Sequence, residues 1–266
     1  MLLKRLVEYS EQMKDLPPPG FENKPVKYFI NLSVDGRYLG IVTNSGSDRK
    51  NDPGVVMSVP ARLRSGKVIR PKVLCDDGSF VLGLVHDPEK QKRAAPKHES
   101  FVKLADLCAK ELNIPSLKAV SSFLETLEPS SLNLPDDFNP TMNITFRVGD
   151  TIPIELPEVR KWWPDYLSKE LEEAQQCIIC GRLRPCLERL PQKIKGTAIP
   201  GRQSSGLAMI SANSGAFESY DLKKSLISPT CEDCAERFVK SLNELLSGES
   251  TSYRIGNLAY IFWTRE

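Results

Sequence analysis

Two Cys-x-x-Cys pairs, Cys177-Ile178-Ile179-Cys180 and Cys231-Glu232-Asp233-Cys234, constrain this chain more than any other feature. A two-residue gap lets both sulfurs of a pair face one point, so two pairs can set four thiolates around one tetrahedral ion. A compact zinc ribbon separates its pairs by roughly 15–20 residues. Here the gap runs from Gly181 to Thr230, so a shared ion would staple distant segments and leave a sizeable insertion between them. On that reading Cys177, Cys180, Cys231 and Cys234 form a structural zinc site, with Cys186 as a substitute ligand. A competing reading is two unrelated pairs of reduced thiols, one in a turn and one at a helix start. A redox pair is disfavoured, because neither pair sits in a βαβ pattern. Cys75 and Cys108 lie in apolar runs and read as core.

The segment between the pairs is basic and punctuated by glycine. Arg182, Arg184, Arg189, Lys193, Lys195 and Arg202 are opposed by one acid, Glu188. Lys193-Ile194-Lys195-Gly196 and Gly201-Arg202-Gln203-Ser204-Ser205-Gly206 combine cations with small hydroxyl and amide groups, the chemistry that grips phosphate and feels base edges. A second cluster lies upstream: Arg62, Arg64, Lys67, Arg70 and Lys72 share one loop with no carboxylate. Unpaired cations on one loop repel, which is tolerable when a polyanion lies against them. A merely solvated basic loop is the equal alternative. The net charge is only +2, so any nucleic-acid surface must come from such local clustering.

The chain has 266 residues, 40% hydrophobic and 26% charged, which suits one large or two small globular domains. The pattern predicts an α+β class: mixed antiparallel sheets with packed helices and the four-cysteine segment. Helices are expected over 2–14, 99–112, 116–128, 159–171 and from Cys234 to about Leu246. A hairpin over 26–33 and 37–43 should turn at Asp35-Gly36, with further strands at 55–59, 79–85, 144–148 and 151–154 and a closing pair at 253–254 and 258–263. A Pro/Ser/Asp-rich stretch over 129–141 suggests lobes of 1–128 and 129–266. Trp162, Trp163 and Tyr166 could stack on bases, although docking into the fold is the commoner role. His98 reads as a helix-start or packing residue.

The sequence holds no Gly-x-x-x-x-Gly-Lys-Ser/Thr loop and no regular Asp/Glu constellation for two metals. Ser204 and Ser205 do not sit in a nucleophile elbow, and only His86 and His98 are available for histidine chemistry. Binding is therefore favoured over catalysis. Seven cysteines without a secretory signal point to a reducing cytoplasm, and no apolar run is long enough to span a membrane.

Several blocks in order carry a family resemblance. They are Met1-Leu2-Leu3, Pro18-Pro19-Gly20-Phe21, the basic loop Ser65–Lys72, Ser79-Phe80-Val81-Leu82-Gly83-Leu84, Arg93-Ala94-Ala95, His98-Glu99-Ser100-Phe101-Val102 and Phe146-Arg147-Val148. The most specific are Lys193-Ile194-Lys195-Gly196, Gln203-Ser204-Ser205-Gly206 and Ala216-Phe217-Glu218-Ser219-Tyr220, with Ser241-Leu242-Asn243-Glu244-Leu245-Leu246 and Phe262-Trp263 after them. Together they resemble the large subunit of the type I-C CRISPR Cascade, an RNA-guided surveillance complex, over nearly the whole chain.

The resemblance implies a non-catalytic subunit that reads the protospacer-adjacent motif in duplex target DNA and promotes strand opening, while guide RNA reads the rest. It also implies other Cascade subunits as partners and a helicase-nuclease recruited later. It places motif contact on Lys67 and Arg70 and on Gln203, Ser204 and Asn213. Arg64, Lys72, Lys193, Lys195, Arg202 and Ser205 complete the expected DNA-binding set. Relatives continue into a helical C-terminal region, so an N-terminal portion or a split, minimal form is expected. The cysteine pairs are not part of the resemblance; zinc rests on this sequence alone. The alternatives are a structural module clamping the guide RNA 5′ end without motif reading, and a metal-dependent nuclease.

Overall fold

A computed structural model describes all residues except 14–16, 47–51, 63, 65–67, 88, 90, 170–173, 191–192, 196–205, 213 and 265–266. The class is α+β with mixed sheets. The chain forms two compact units, Gly20–Tyr166 and Met1–Pro19 with Leu167–Glu266. That boundary differs from the 128/129 division read from the sequence.

In the Gly20–Tyr166 unit, β1 (Phe21–Val26) pairs antiparallel with β4 (Val55–Pro60), from Phe21 opposite Pro60 to Val26 opposite Val55. A four-stranded sheet runs in the order β3-β2-β6-β5, where β2 is Tyr28–Leu32, β3 Tyr38–Thr43, β5 Cys75–Asp77 and β6 Asn143–Val148. The expected hairpin forms between β2 and β3. Gly36 turns it with φ +85 and donates its N–H to the Ser33 carbonyl at 2.9 Å. β6 then lies parallel to β2, with Tyr28 opposite Ile144. A parallel pair needs a long crossover. The intervening helices α3 (Gln91–Leu112) and α4 (Pro115–Glu125) lie on that crossover; Phe101 stacks on Phe146 of β6 and Phe123 meets it edge-on, each with ring centroids 6.4 Å apart. The 129–141 stretch therefore leads back into the four-stranded sheet.

Three local expectations are corrected. Residues 79–85 do not form a strand: Gly78–Val81 is a short helix, α2. Asp77 caps it by accepting the Ser79 N–H at 2.9 Å, and a short buried apolar run carries no periodicity that separates strand from helix. Residues 151–154 give only a single bridge, Val148 to Thr151, then a 3-10 turn over Pro153–Glu155, because Pro153 has no N–H for a ladder. Helix α3 starts before position 99 and contains Pro96. His98 sits within it, its Nδ1 3.0 Å from the Phe80 carbonyl, which is the packing role. α5 (Pro157–Lys169) docks its indoles: fully buried Trp163 donates Nε1–H to the carbonyls of Gly20 at 2.9 Å and Ala61 at 3.2 Å, and Trp162 donates to Glu111 at 2.6 Å.

In the other unit, α1 (Leu2–Ser10) packs along α6 (Glu232–Ser247), and Leu6 shares a core with Phe238, Leu242 and Leu245. Two hairpins complete it: β7 (Ala174–Gln176) with β8 (Leu183–Pro185), and β9 (Ser252–Ile255) with β10 (Leu258–Ile261). The second hairpin packs Ala259, Ile261 and Trp263 on the core. Among the described residues no helix is long and apolar enough to cross a membrane.

A candidate metal centre and two basic segments

The four paired cysteines are brought together by two different local structures. The first pair occupies the turn after β7. Cys177 donates its N–H to the Arg182 carbonyl at 3.0 Å, and Gly181 donates to the Cys177 carbonyl at 2.8 Å. Gly181 takes φ +72, a conformation that favours glycine and closes the turn behind Cys180. The second pair starts a helix: Cys231 is the N-cap of α6 and Cys234 lies in its first turn. Ile178 N–H to Pro229 O and Leu187 N–H to Thr230 O, both 2.9 Å, lace the hairpin to the helix entry.

All four sulfurs lie within 4.8 Å of one another, and Cys180 and Cys231 are 4.0 Å apart. Tetrahedral zinc with its usual Zn–S bond places sulfurs about 3.8 Å apart, so the set lies within about 1 Å of the spacing an ion would impose. Cys177, Cys231 and Cys234 are buried and Cys180 is exposed. Cys186 is turned to the carbonyls of Gln175 and Arg184, so the geometry makes it no substitute ligand.

The electrostatics point the same way. Hydrogen bonding from the Cys234 thiol is the main influence that pushes Cys231 down to about 5. That same hydrogen bond, followed by burial, raises Cys234, and burial raises Cys180. Cys186 is pushed up to about 11, chiefly by burial. Four thiolates in so small a volume need a divalent charge at their centre.

The upstream basic segment is answered by acids that come from elsewhere in the sequence. Arg64 pairs with the buried Asp76 and, at 3.8 Å, with Asp77; its guanidinium lies 4.1 Å over the Phe80 ring, and its Nε donates to the Arg70 carbonyl at 2.8 Å. Lys72 pairs with Glu22 at 3.0 Å. Arg62 donates to the Pro71 carbonyl at 2.8 Å. The loop is therefore not a row of unpaired cations. Arg70 is half-buried, and Lys67 lies outside the described residues.

The downstream segment is held through its backbone. Lys193 and Lys195 are exposed and Ile194 between them is 6% exposed. Ile194 and Leu207 exchange both backbone hydrogen bonds, at 2.8 and 2.9 Å. The Asn243 side chain of α6 accepts the Lys195 N–H at 2.8 Å and donates to the Lys193 carbonyl at 3.1 Å. Arg202, Gln203, Ser204, Ser205 and Asn213 lie outside the described residues. Asn243 was missed by the sequence reading as a site residue; the signal was a polar amide set among the leucines of an amphipathic helix. Glu22 and Asp76 carried no signal, since each meets its cation only through the fold.

A family model described as CRISPR-associated protein (Cas_Csd1) matches residues 5–266. No curated protein matches the chain.

Proposed function

The chain belongs to the Csd1 family of CRISPR-associated proteins, and from that premise we propose that it is the DNA-recognition subunit of a type I-C Cascade complex. It reads the protospacer-adjacent motif in duplex target DNA, promotes strand opening and acts by binding rather than by chemistry. Guide RNA and the other Cascade subunits are its standing partners, and a helicase-nuclease acts after it, all in the cytoplasm. Phosphate grip comes first from Lys193 and Lys195. Lys67, Arg70, Arg202, Gln203, Ser204, Ser205 and Asn213 extend the contact, with the amides on base edges. Arg64 and Lys72 act mainly by shaping their loop.

The observation that carries the DNA-facing part is the alternation at 193–195: two exposed lysines flank a buried isoleucine, so both cations stand on one solvent face of a fixed segment. An extended segment spaces such side chains roughly 6–7 Å apart. Cys177, Cys180, Cys231 and Cys234 would hold zinc, whose role would be structural, tying the start of α6 to the β7–β8 hairpin.

The test is equilibrium binding of the assembled complex to DNA duplexes with randomised bases beside the target. Motif-dependent affinity that falls on Gln203→Ala supports motif reading. Affinity independent of those bases would favour the alternative role of clamping the guide RNA 5′ end. DNA cleavage by the chain with Mg²⁺ or Mn²⁺ would overturn the non-catalytic part.

A further inference from the structure

We propose that Asn243 is a positioning residue for DNA binding: its side-chain amide, acting as a surrogate strand, clamps the base of the loop that presents Lys193 and Lys195. The inference rests on the proposed DNA-binding role of those lysines and adds the device that aims them.

Three observations meet at this point. First, the Asn243 amide satisfies two backbone groups that lie two residues apart, the Lys193 carbonyl and the Lys195 N–H. That is the pair a neighbouring β-strand would satisfy, and a carboxamide is the side chain that carries one donor and one acceptor in the required fork. Second, the opposite edge of the same segment is taken by Leu207 through its two bonds with Ile194. The segment is thus held on both edges, and Ile194 drops into the core between them. Third, the approach is too close for a side chain at position 206. A Cβ there would sit 2.9 Å from the Ile194 carbonyl and 3.0 Å from Lys193 Cβ, and Gly206 has φ +84. With its register fixed on both edges, the segment leaves Lys193 and Lys195 no choice but the exposed side.

The clamp also connects the loop to the metal centre. Asn243 stands nine residues beyond Cys234 on the one helix α6, about 14 Å along its axis at the α-helical rise. The thiol cluster fixes the helix start, and the helix carries the amide to the loop.

The proposal is tested in the assembled complex with a short fluorescent DNA duplex, titrated at several salt concentrations. Asn243→Ala is expected to weaken binding roughly tenfold, as the loss of two hydrogen bonds implies. It is also expected to flatten the salt dependence toward that of the Lys193→Ala/Lys195→Ala double variant. Adding Asn243→Ala to that double variant should cost nothing further, because the amide acts through the two lysines. Hydrogen exchange at the Lys195 amide should quicken. Asn243→Leu, of similar size and good helix propensity, should behave like Asn243→Ala and guards against a loss caused by helix fraying.

Zinc content and melting temperature are measured alongside. A loss of binding that tracks with them would overturn the proposal in favour of general destabilisation. If Asn243→Ala and Asn243→Leu keep affinity and salt slope while the lysine variant loses both, the clamp is wrong and the DNA-binding role of the lysines stands. If the lysine variant itself changes neither, that role fails and the clamp falls with it.

Discussion

The guanidinium of Arg64 bonds the carboxylate of Asp76, a side chain only 2% exposed. The same carboxylate accepts the Lys72 N–H at 2.9 Å, so one buried acid ties down both ends of the upstream basic loop. Removing the cation strands the anion. Arg64→Ala is expected to destabilise the Gly20–Tyr166 unit by about 3 kcal/mol, at the low end for a broken buried pair because Arg64 is partly exposed. Denaturant unfolding measures it. Any effect on DNA binding should be uniform across flanking sequences.

The Asp76 carboxyl also gives that unit a pH dependence. Burial holds it above the ordinary carboxylate range, with the Arg64 charge pulling the other way. The folded chain therefore keeps this proton to higher pH than the unfolded chain does. Stability from this group is full below the unfolded value and falls as pH rises through the folded one. Asp76→Asn should abolish that slope, which a series of unfolding curves from acid pH upward would reveal.

Metal analysis of the purified chain is expected to find about one zinc per chain. Cys177→Ser or Cys234→Ser should lose it, whereas Cys186→Ser should keep it. A chelator should lower the melting temperature of the unit built from Met1–Pro19 and Leu167–Glu266, since the ion's binding energy is folding energy there. Retention of the metal in both ligand variants would count decisively against the site.

Lys193→Ala and Lys195→Ala together should reduce the slope of log affinity against log salt by about two, equally for every duplex sequence. Gln203→Ala should instead change which flanking bases are preferred and leave the salt slope alone. The two behaviours separate phosphate grip from base reading.

Gly206→Ala should cost about 1–2 kcal/mol, because the position combines a left-handed conformation with a backbone carbonyl in the way. Faster exchange of the Lys195 amide in this variant would place the damage at the loop base.

Local chemistry made part of this structure legible. Asp35-Gly36 announced its hairpin, and the Cys-x-x-Cys spacing announced a four-sulfur group. What stayed hidden depends on long-range pairing. The parallel partnership of β2 with β6 has no local signature, so a proline-rich stretch passed for a lobe boundary. The cations at Arg64 and Lys72 looked unanswered because Asp76 and Glu22 reach them only in the folded chain. At 79–85, a strand was expected where one capping aspartate turned the chain into a helix.

Helix α1 completes a core with α6, although the whole Gly20–Tyr166 unit lies between them in sequence. During synthesis, Leu6 leaves the ribosome roughly ten to fifty seconds before Phe238 at ordinary elongation rates. The intervening unit has time to fold first, while the amphipathic leader waits with its apolar stripe unmet. Assembly of the unit that holds Cys177 and Cys234 therefore waits until α6 has been made. A chaperone that shields short amphipathic segments would raise the yield of this chain more than that of the Gly20–Tyr166 unit.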